Sequence, residues 1–292
     1  MHSVNPNTLA ALLELLRDDS PTVVAAAREK LVSLGAAGEH ALRIAVISND
    51  ARMRVRARAA LLEIGREKAV ARFELLATKN DAELDLEDGA FALAQIEYPD
   101  LDLAAYTTIL DTLGEQLLSR LNISGTPSTR TPPQGCAAEL SRLLAHEWRL
   151  RMNDESFDDP ENSYIHRVLD RRRGIPISLA TIYLSVAKRA KLPLYGIGSP
   201  GHYLLRYGPS DLDIYMDPTT GRRLGLDECA RMLAVRGFPV TREHFEPSSA
   251  RETLIRMCAN LVTAYERRKL KANSERFAKL RDAMRAGGTG KK

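Results

Sequence analysis

His202 and Asp217 are the two residues of this chain whose types and spacing best suit proton-transfer chemistry. His202 follows Pro200-Gly201 and Asp217 precedes Pro218-Thr219, so each lies where a short apolar run meets a turn. Such runs predict strands, and one hairpin between them would bring the imidazole and the carboxylate together. The carboxylate would fix the tautomer of an imidazole that takes a proton from a nucleophile. Taken singly, a histidine at a strand start and an aspartate in a turn are also common structural residues.

A nucleophile for this pair would be a thiol or a hydroxyl. Cys136 begins a predicted helix, where the N-terminus lowers a thiol pKa, and the alternative is a half-buried structural cysteine. Ser178 lies in the first turn of another predicted helix, either as an unusual nucleophile or as a residue that hydrogen-bonds the free amides. Cys229 and Cys258 lie within amphipathic helical patterns, which predicts core positions.

Composition excludes several functional classes. Of the 292 residues, 44% are hydrophobic, enough for one large core or two modest ones. The three cysteines lack CxxC spacing, so we expect neither a disulfide framework nor a cysteine zinc cluster. Because His166, His202 and Asp217 lack HxxxH or HExxH spacing, we expect no metal and no cofactor. Without a run of ~18 apolar residues or a signal-peptide pattern, we expect a cytoplasmic protein that does not enter a membrane.

The positive charge is concentrated at the C-terminus. The formal charge is +4, yet residues 251–292 hold twelve Lys and Arg against four Asp and Glu. Basic residues along an amphipathic helix more often form its solvated face than a nucleic-acid site, and no aromatic residues interleave them. We therefore expect a protein partner rather than nucleic acid.

The N-terminal residues show internal similarity at a spacing of 30 residues. The matched pairs are Leu12 and Leu42, Leu16 and Val46, Ala27 and Ala57, Arg28 and Arg58, Leu31 and Leu61, Leu34 and Ile64, and Gly35 and Gly65. This periodicity predicts stacked helix hairpins, with Gly35 and Gly65 each ending a hairpin. A third hairpin is predicted from Lys68, with a turn at 79–85. The Asp-rich turns and closing Leu-Gly resemble the HEAT repeat family, which implies a stabilising cap or a protein-binding surface.

The middle of the chain predicts an α+β domain. Helices are expected over 103–121, 136–148, 164–172, 176–190 and 226–235, and an exposed linker over 122–134. Short apolar runs at 194–198, 202–207 and 214–216 predict strands. Because the turns between these runs are short, the strands must be antiparallel and packed against the helices.

One long stretch carries a family resemblance. The sequence NSYIHRVLDRRRGIPISLATIYLSVAKRAKLPLYGIGSPGHYLLRY, followed by DIYMDPTTGRRL, resembles the SirB-type branch of the bacterial transglutaminase-like family. The resemblance implies a papain-like core in which a central helix packs on an antiparallel sheet. It also implies a Cys, His, Asp trio in active members, of which His202 and Asp217 match the second and third positions.

The nucleophile position departs from that pattern. Active relatives carry Arg-Gly-Val-Cys, whereas this chain has Arg173-Gly174-Ile175-Pro176, so a proline stands where the resemblance places the cysteine. Proline suits the first turn of a helix but has no atom that attacks a carbonyl. Ser178, two residues further along, would point away from the vacant position at 3.6 residues per turn. Asn162, Arg173 and Tyr203 are candidates to line the pocket.

The C-terminal residues predict a helix hairpin. Leu254, Met257, Leu261 and Tyr265 form one apolar stripe, and residues 277–284 carry a second. The hairpin resembles a single tetratricopeptide-type pair. We therefore expect three parts: HEAT-like helices over 1–80, a transglutaminase-like domain over 81–246, and this basic hairpin over 247–292.

Two functional hypotheses follow. The first is a non-enzymatic, protein-interacting pseudoenzyme, because Pro176 occupies the nucleophile position. The second is a hydrolase or acyl-transfer enzyme that uses His202 and Asp217 with an atypical nucleophile, either Ser178 or Cys136.

Overall fold

The computed structural model describes residues 5–121, 133–208, 212 and 214–288. These residues form two compact units. The first comprises the described residues up to Arg72 together with Gln95–Leu101, and the second comprises Phe73–Ala94 and the described residues from Asp102 onward. Most of the linker predicted over 122–134 lies outside the described residues. None of the helices within the described ranges combines the length and apolar character that crossing a bilayer requires.

Consecutive helices build the first unit. Its helices are α1 (Pro6–Leu15), α2 (Pro21–Ser33), α3 (Ala36–Ala45) and most of α4 (Ala51–Thr78), and the end of α5 (Leu86–Glu97) completes it. Gly35 lies between α2 and α3 with φ of +58°, a conformation that glycine adopts without strain. Buried side chains of α2, α3 and α4, together with Leu16 just after α1, form its core, and partly buried leucines of α1 pack against them.

The prediction that Gly65 ends a helix is wrong, because α4 continues through it to Thr78. A Cβ at Gly65 would lie 2.6 Å from the Cβ of Pro99. The glycine therefore serves close packing against Pro99 and not a helix end. As a consequence, the first helix predicted for a third hairpin is the continuation of α4.

The second unit contains the remaining helices and both sheets. Its other helices are α6 (Leu103–Arg120), α7 (Pro133–Ser141), α8 (Ile165–Arg171), α9 (Pro176–Arg189), α10 (Leu226–Val235), α11 (Ala250–Arg267) and α12 (Lys271–Gly288). A π-helical turn, Arg142–Glu147, extends α7, and a 3-10 turn, Pro160–Ser163, precedes α8. The predicted bounds of α6, α9 and α10 agree with these to within one residue. The predicted turn at Gly174 is wrong, because the chain turns at Arg172, which follows α8 in the left-handed conformation, and Gly174 lies in a short strand.

A four-stranded antiparallel sheet lies at the centre of this unit. Its strands follow chain order: β3 (Leu194–Ile197), β4 (Leu204–Tyr207), β5 (Ile214–Met216) and β6 (Arg223–Leu224). A separate parallel pair joins β1 (Arg151–Met152) to β2 (Arg173–Gly174). The last strand of the main sheet is too short to show a sequence pattern, and only the other three were predicted.

The two faces of the main sheet are covered differently. The central helix α9 packs against β3 and β4 and is buried along most of its length. A separate apolar cluster, which includes Leu204, Tyr215, Leu233 and Phe245, brings α10 and the 242–245 turn together with the sheet. A helix laid on an antiparallel sheet is the α+β arrangement that the sequence predicted.

Candidate functional site

The sheet brings His202 and Asp217 into contact. His202 lies two residues before β4, and Asp217 directly follows β5, the neighbouring antiparallel strand. The imidazole Nε2 lies 3.3 Å from Asp217 Oδ1, and the two residues are 9% and 8% exposed. Within the described part of the chain, His202 Nδ1 has no hydrogen-bond partner. With Nε2 oriented by the carboxylate, Nδ1 is the nitrogen left to exchange a proton.

Hydrogen bonds keep Asp217 in its charged form. The Thr219 backbone N–H and hydroxyl donate to the same Oδ1 at 2.9 and 2.6 Å. Burial, the largest single influence, acts to raise the pKa of Asp217, but the hydrogen bonds from His202 and Thr219 outweigh it and the pKa lies below its ordinary value. The carboxylate is therefore ionised at neutral pH and can stabilise an imidazolium.

Pro176 and His202 line one cavity of about 220 Å³, called here the His202 cavity. Its wall comes from the loop before α8, the start of α9, the residues before β4 and one side of α11: Phe157, Asp158, Asp159, Ser163, Ile175, Pro176, Ile177, Gly201, His202, Tyr203, Arg256, Asn260, Thr263, Ala264 and Arg267. Pro176 is the first residue of α9. The helix start that the family resemblance marks as the nucleophile position thus faces the same space as the imidazole.

Ser178 is fully buried and its hydroxyl is engaged elsewhere. Its oxygen accepts the Ile175 backbone N–H at 3.1 Å, and its proton faces the carbonyl oxygens of Asn162 at 2.5 Å and Ile175 at 3.0 Å. It is not part of the cavity wall. In this position the hydroxyl ties the start of α9 to the preceding turn.

The three cysteines lie outside the His202 cavity, and all are buried. Cys136, in α7, hydrogen-bonds to Tyr207, the last residue of β4. Because burial opposes the thiolate, the pKa values of Cys229 and Cys258 rise to about 12. None of these positions places a thiol beside His202.

Of the three predicted pocket residues, the structure places one in the wall. Tyr203 lines the cavity, and its hydroxyl lies 2.7 Å from Thr253 Oγ1. Asn162 is fully buried behind the wall, where its amide donates to the carbonyl oxygens of Ser156 and Phe157 at 2.7 and 3.3 Å. Arg173 pairs with Arg151 in the short parallel sheet and does not line the cavity.

Helix α11 contributes residues to this site that no sequence motif predicts. The Arg256 guanidinium donates to the carbonyl oxygens of Ser199 and His202, both at 2.9 Å, and lies 5.6 Å from the centre of the Tyr203 ring. Burial lowers the pKa of Arg256, although the nearby Tyr203 opposes that shift. Because α11 is about 50 residues from His202 in sequence, no local pattern could have placed this arginine there.

Acidic and hydroxyl groups complete the wall. Arg267 forms an ion pair with Asp158, and Arg268 lies 3.2 Å from Asp159. Ser163 lines the cavity, and the next residue, Tyr164, precedes the first residue of α8. The Ser163 hydroxyl has no hydrogen bond to any other described residue.

This arrangement can orient and accept a proton, and its wall also contains two arginines and one side-chain amide, Asn260. The described wall contains no thiol, and its hydroxyls come from Ser163, Tyr203 and Thr263. No three His, Cys, Asp or Glu side chains within the described ranges come together in a way that would hold a metal ion.

Comparisons with known proteins place this geometry in a family. The sequence model of the transglutaminase-like superfamily matches residues 104–259, which contain both members of the His–Asp pair. A UPF0162 protein of Xylella fastidiosa strain Temecula1 is 35% identical over 210 residues, 69% of this chain and 70% of that protein. A UPF0162 protein of Pseudomonas aeruginosa is 34% identical over 145 residues, 46% of this chain and 51% of that protein.

A mammalian protein also matches. F-box only protein 21 of Mus musculus is 30% identical over 154 residues, which is 50% of this chain and 24% of that protein. No solved structure matches the chain.

Proposed function

This chain belongs to the transglutaminase-like superfamily, and on that premise we propose that it binds a protein segment in the His202 cavity without catalysing acyl transfer. One observation carries the proposal: the helix start that faces His202 is Pro176, whose ring cannot attack a carbonyl. The His202–Asp217 pair is present, but the helix start that faces it has no nucleophilic atom. Such a site retains a shaped, polar cavity but lacks the group that begins covalent catalysis.

The wall supplied by α11 supports a peptide ligand. Asn260, Thr263 and Arg267 line the cavity from successive turns of this helix, and Thr263 and Arg267 are exposed. These groups present an amide, a hydroxyl and the Arg267–Asp158 ion pair to an extended chain. The matching region is also one part of a longer protein in F-box only protein 21, which fits a module that serves binding within different chains.

The proposal also covers the branch of the superfamily and the helices on either side of the domain. We infer that the chain is a member of the SirB-type branch, that the hairpins of residues 1–80 are HEAT-like repeats, and that residues 247–292 form a tetratricopeptide-like pair beside the domain of residues 81–246. The 30-residue spacing and the four consecutive helices α1 to α4 support the assignment of repeats. We also propose that the protein acts in the cytoplasm with a protein partner and without nucleic acid or a cofactor.

A cavity-filling variant tests the binding proposal. Thr263→Trp in the full chain places an indole in the cavity, and Glu266→Trp adds the same group to an exposed position of α11 outside the wall. Proteins captured by the wild type from cell extract should be retained by Glu266→Trp and lost with Thr263→Trp. In parallel, the wild type should not incorporate a fluorescent amine into a glutamine-rich protein. Equal capture by both tryptophan variants, or His202-dependent amine incorporation, would contradict the proposal.

Restoring the thiol tests whether the inherited geometry persists. In Pro176→Cys the new thiol begins α9 and faces the cavity that His202 lines, so its pKa should fall toward the ~3.5–7.5 range of activated thiols. At pH 7 we expect iodoacetamide to label it at least about 10-fold faster than the same variant carrying His202→Ala. Mass spectrometry of the labelled peptide separates this thiol from the three buried cysteines. Equal labelling rates with and without His202 would show that the His202–Asp217 pair does not activate a thiol at the start of α9.

The placement of Ser163 favours a second candidate, a hydrolase or acyl-transfer enzyme. This hydroxyl and His202 line the same cavity, whereas Ser178 and Cys136 do not. A fluorophosphonate probe that labels the wild type but neither Ser163→Ala nor His202→Ala would establish this activity. Absence of labelling would rule out the hydrolase or acyl-transfer activity and leave the binding function.

A further inference from the structure

A second cavity lies at Arg206, and it is independent of the proposed function. Arg206 is in the middle of β4 and is only 6% exposed. Its cross-strand partners are Tyr195 on β3 and Tyr215 on β5. The guanidinium carbon lies 6.0 Å from the centre of the Tyr195 ring. A largely buried cation therefore lies on the sheet with a tyrosine opposite it on each neighbouring strand.

The hydrogen bonds of this guanidinium are incomplete. Nη1 donates to the carbonyl oxygen of Phe245 at 3.2 Å, and the buried Nε has no acceptor. Among the described residues, no carboxylate pairs with Arg206. An arginine carries five N–H donors, and leaving a buried cation without a counter-ion is unfavourable. An anion with two acceptor atoms would supply a counter-ion and accept hydrogen bonds from the Nη N–H groups that Phe245 leaves free.

The space beside Arg206 measures about 560 Å³ and is called here the Arg206 cavity. Leu226, Ala230, Val240 and Phe245 supply much of its apolar wall. This volume lies within the ~300–1,000 Å³ of small-molecule sites, which are mostly apolar with a few fixed polar groups. Leu226 and Val240 are also 36% and 47% exposed, so the apolar wall continues to the surface.

Two acidic residues at the cavity limit the charge of an occupant. Asp227 and Glu246 line it with exposed side chains, and Glu246 lies 3.4 Å from Arg242. Their negative charge disfavours a dianion such as phosphate. A single carboxylate is compatible with them, because Arg206 can bind it through two parallel hydrogen bonds.

We propose that the Arg206 cavity binds a small organic carboxylate with an apolar tail. The carboxylate accepts hydrogen bonds from the Nη N–H groups of Arg206 that Phe245 leaves free, and the tail packs against Leu226, Ala230 and Phe245. The occupant is thus an alkyl or aryl monocarboxylate.

Calorimetric titration of the full chain with sodium octanoate tests this site. Octanoate should bind, while 1-octanol, which has the same length without the charge, and sodium phosphate, which has charge without a tail, should each bind at least about tenfold more weakly. Failure of octanoate to bind at millimolar concentration would overturn the proposal. So would equal binding of octanol or tighter binding of phosphate.

Variants locate the binding. Arg206→Met should weaken octanoate at least about tenfold, whereas Arg242→Met, which removes an exposed arginine of the same cavity, should change it less than about twofold. Ala230→Trp fills the cavity without altering Arg206 and should also abolish binding, so the result does not depend on one variant folding. Octanoate binding that survives both Arg206→Met and Ala230→Trp would show that the ligand lies elsewhere.

Discussion

Two buried arginines of the second unit have opposite surroundings. Arg251, at the start of α11, is 4% exposed, and Arg206 is 6% exposed. The Arg251 guanidinium donates to the carbonyl oxygens of Ala77 at 3.1 Å, Met284 at 2.9 Å and Lys79 at 2.5 Å, and it pairs with Asp81. Arg206 has a single carbonyl acceptor.

This difference in hydrogen bonding distinguishes Arg251, which is a structural cation, from Arg206, which can still bind a ligand. The acceptors of Arg251 lie at the C-terminal ends of α4 and α12, where carbonyl groups lack partners within the helix and attract positive charge. Arg251 thus joins two helix ends to α11. Arg206 joins nothing comparable, although it is as deeply buried. Burial alone therefore does not show whether a charged residue serves stability or binding.

Arg251→Met gives the largest expected effect on stability. The change leaves three helix-end carbonyl groups without their donor, so we expect unfolding free energy to fall by about 3 kcal/mol. Urea unfolding followed by the fluorescence of Trp148, the single tryptophan of the chain, measures it within the second unit. A loss below about 1 kcal/mol would remove the contrast between the two arginines.

His166, unlike the two arginines, is a base that is buried in its neutral form. Burial, with a smaller contribution from Arg167 and against the opposing effect of Asp170, lowers its pKa from 6.5 to about 4. Between these values the unfolded chain binds a proton that the folded chain does not, so stability must fall as pH decreases from 6.5 to 4. The loss should reach about 2 kcal/mol.

Unfolding curves of His166→Phe over this pH range check that expectation. The variant should show a smaller pH dependence than the wild type, whereas His146→Phe, at an exposed position, should keep it. An unchanged slope in His166→Phe would assign the acid sensitivity to other groups.

Ser178→Ala tests a neutral group that is as well satisfied as Arg251. Removing the hydroxyl leaves the Ile175 N–H and the Asn162 carbonyl without their side-chain partner, which should lower the unfolding free energy by about 1.5 kcal/mol. Ser185→Ala, on the same helix and buried to a similar degree, is the matched control and should cost less. If the two losses are equal, the hydrogen bonds at the start of α9 contribute little.

Arg206→Met should have the smallest effect. Because the arginine makes one hydrogen bond and has no carboxylate partner among the described residues, replacing it with an apolar side chain should change the unfolding free energy by less than about 1 kcal/mol. Trp148 fluorescence during urea unfolding gives the value. A loss as large as that of Arg251→Met would mean that Arg206 is a structural residue and would favour a cavity without an anion.

Local sequence signals predicted the elements of the site but not all of its wall. Proline at the first helical position placed the start of α9, and short apolar runs placed β3 to β5, so the His202 and Asp217 contact followed from adjacent strands. Asn162 and Arg173 were candidates to line the pocket, yet neither is part of its wall. Gly65 shows the same limit, since its packing against Pro99 leaves no local signal.

The sequence by itself determined the helix starts, the antiparallel strands, the proline at the position that the family resemblance assigns to the nucleophile, and the His–Asp pair, because these depend on local conformation and on residue type. Only the tertiary structure decided that Arg256 lines the His202 cavity, that Ser178 is occupied by backbone groups, and that Arg206 is buried with too few acceptors. Those outcomes depend on contacts between segments far apart in the chain, and periodicity or spacing along a sequence carries no information about which side chains such contacts bring together.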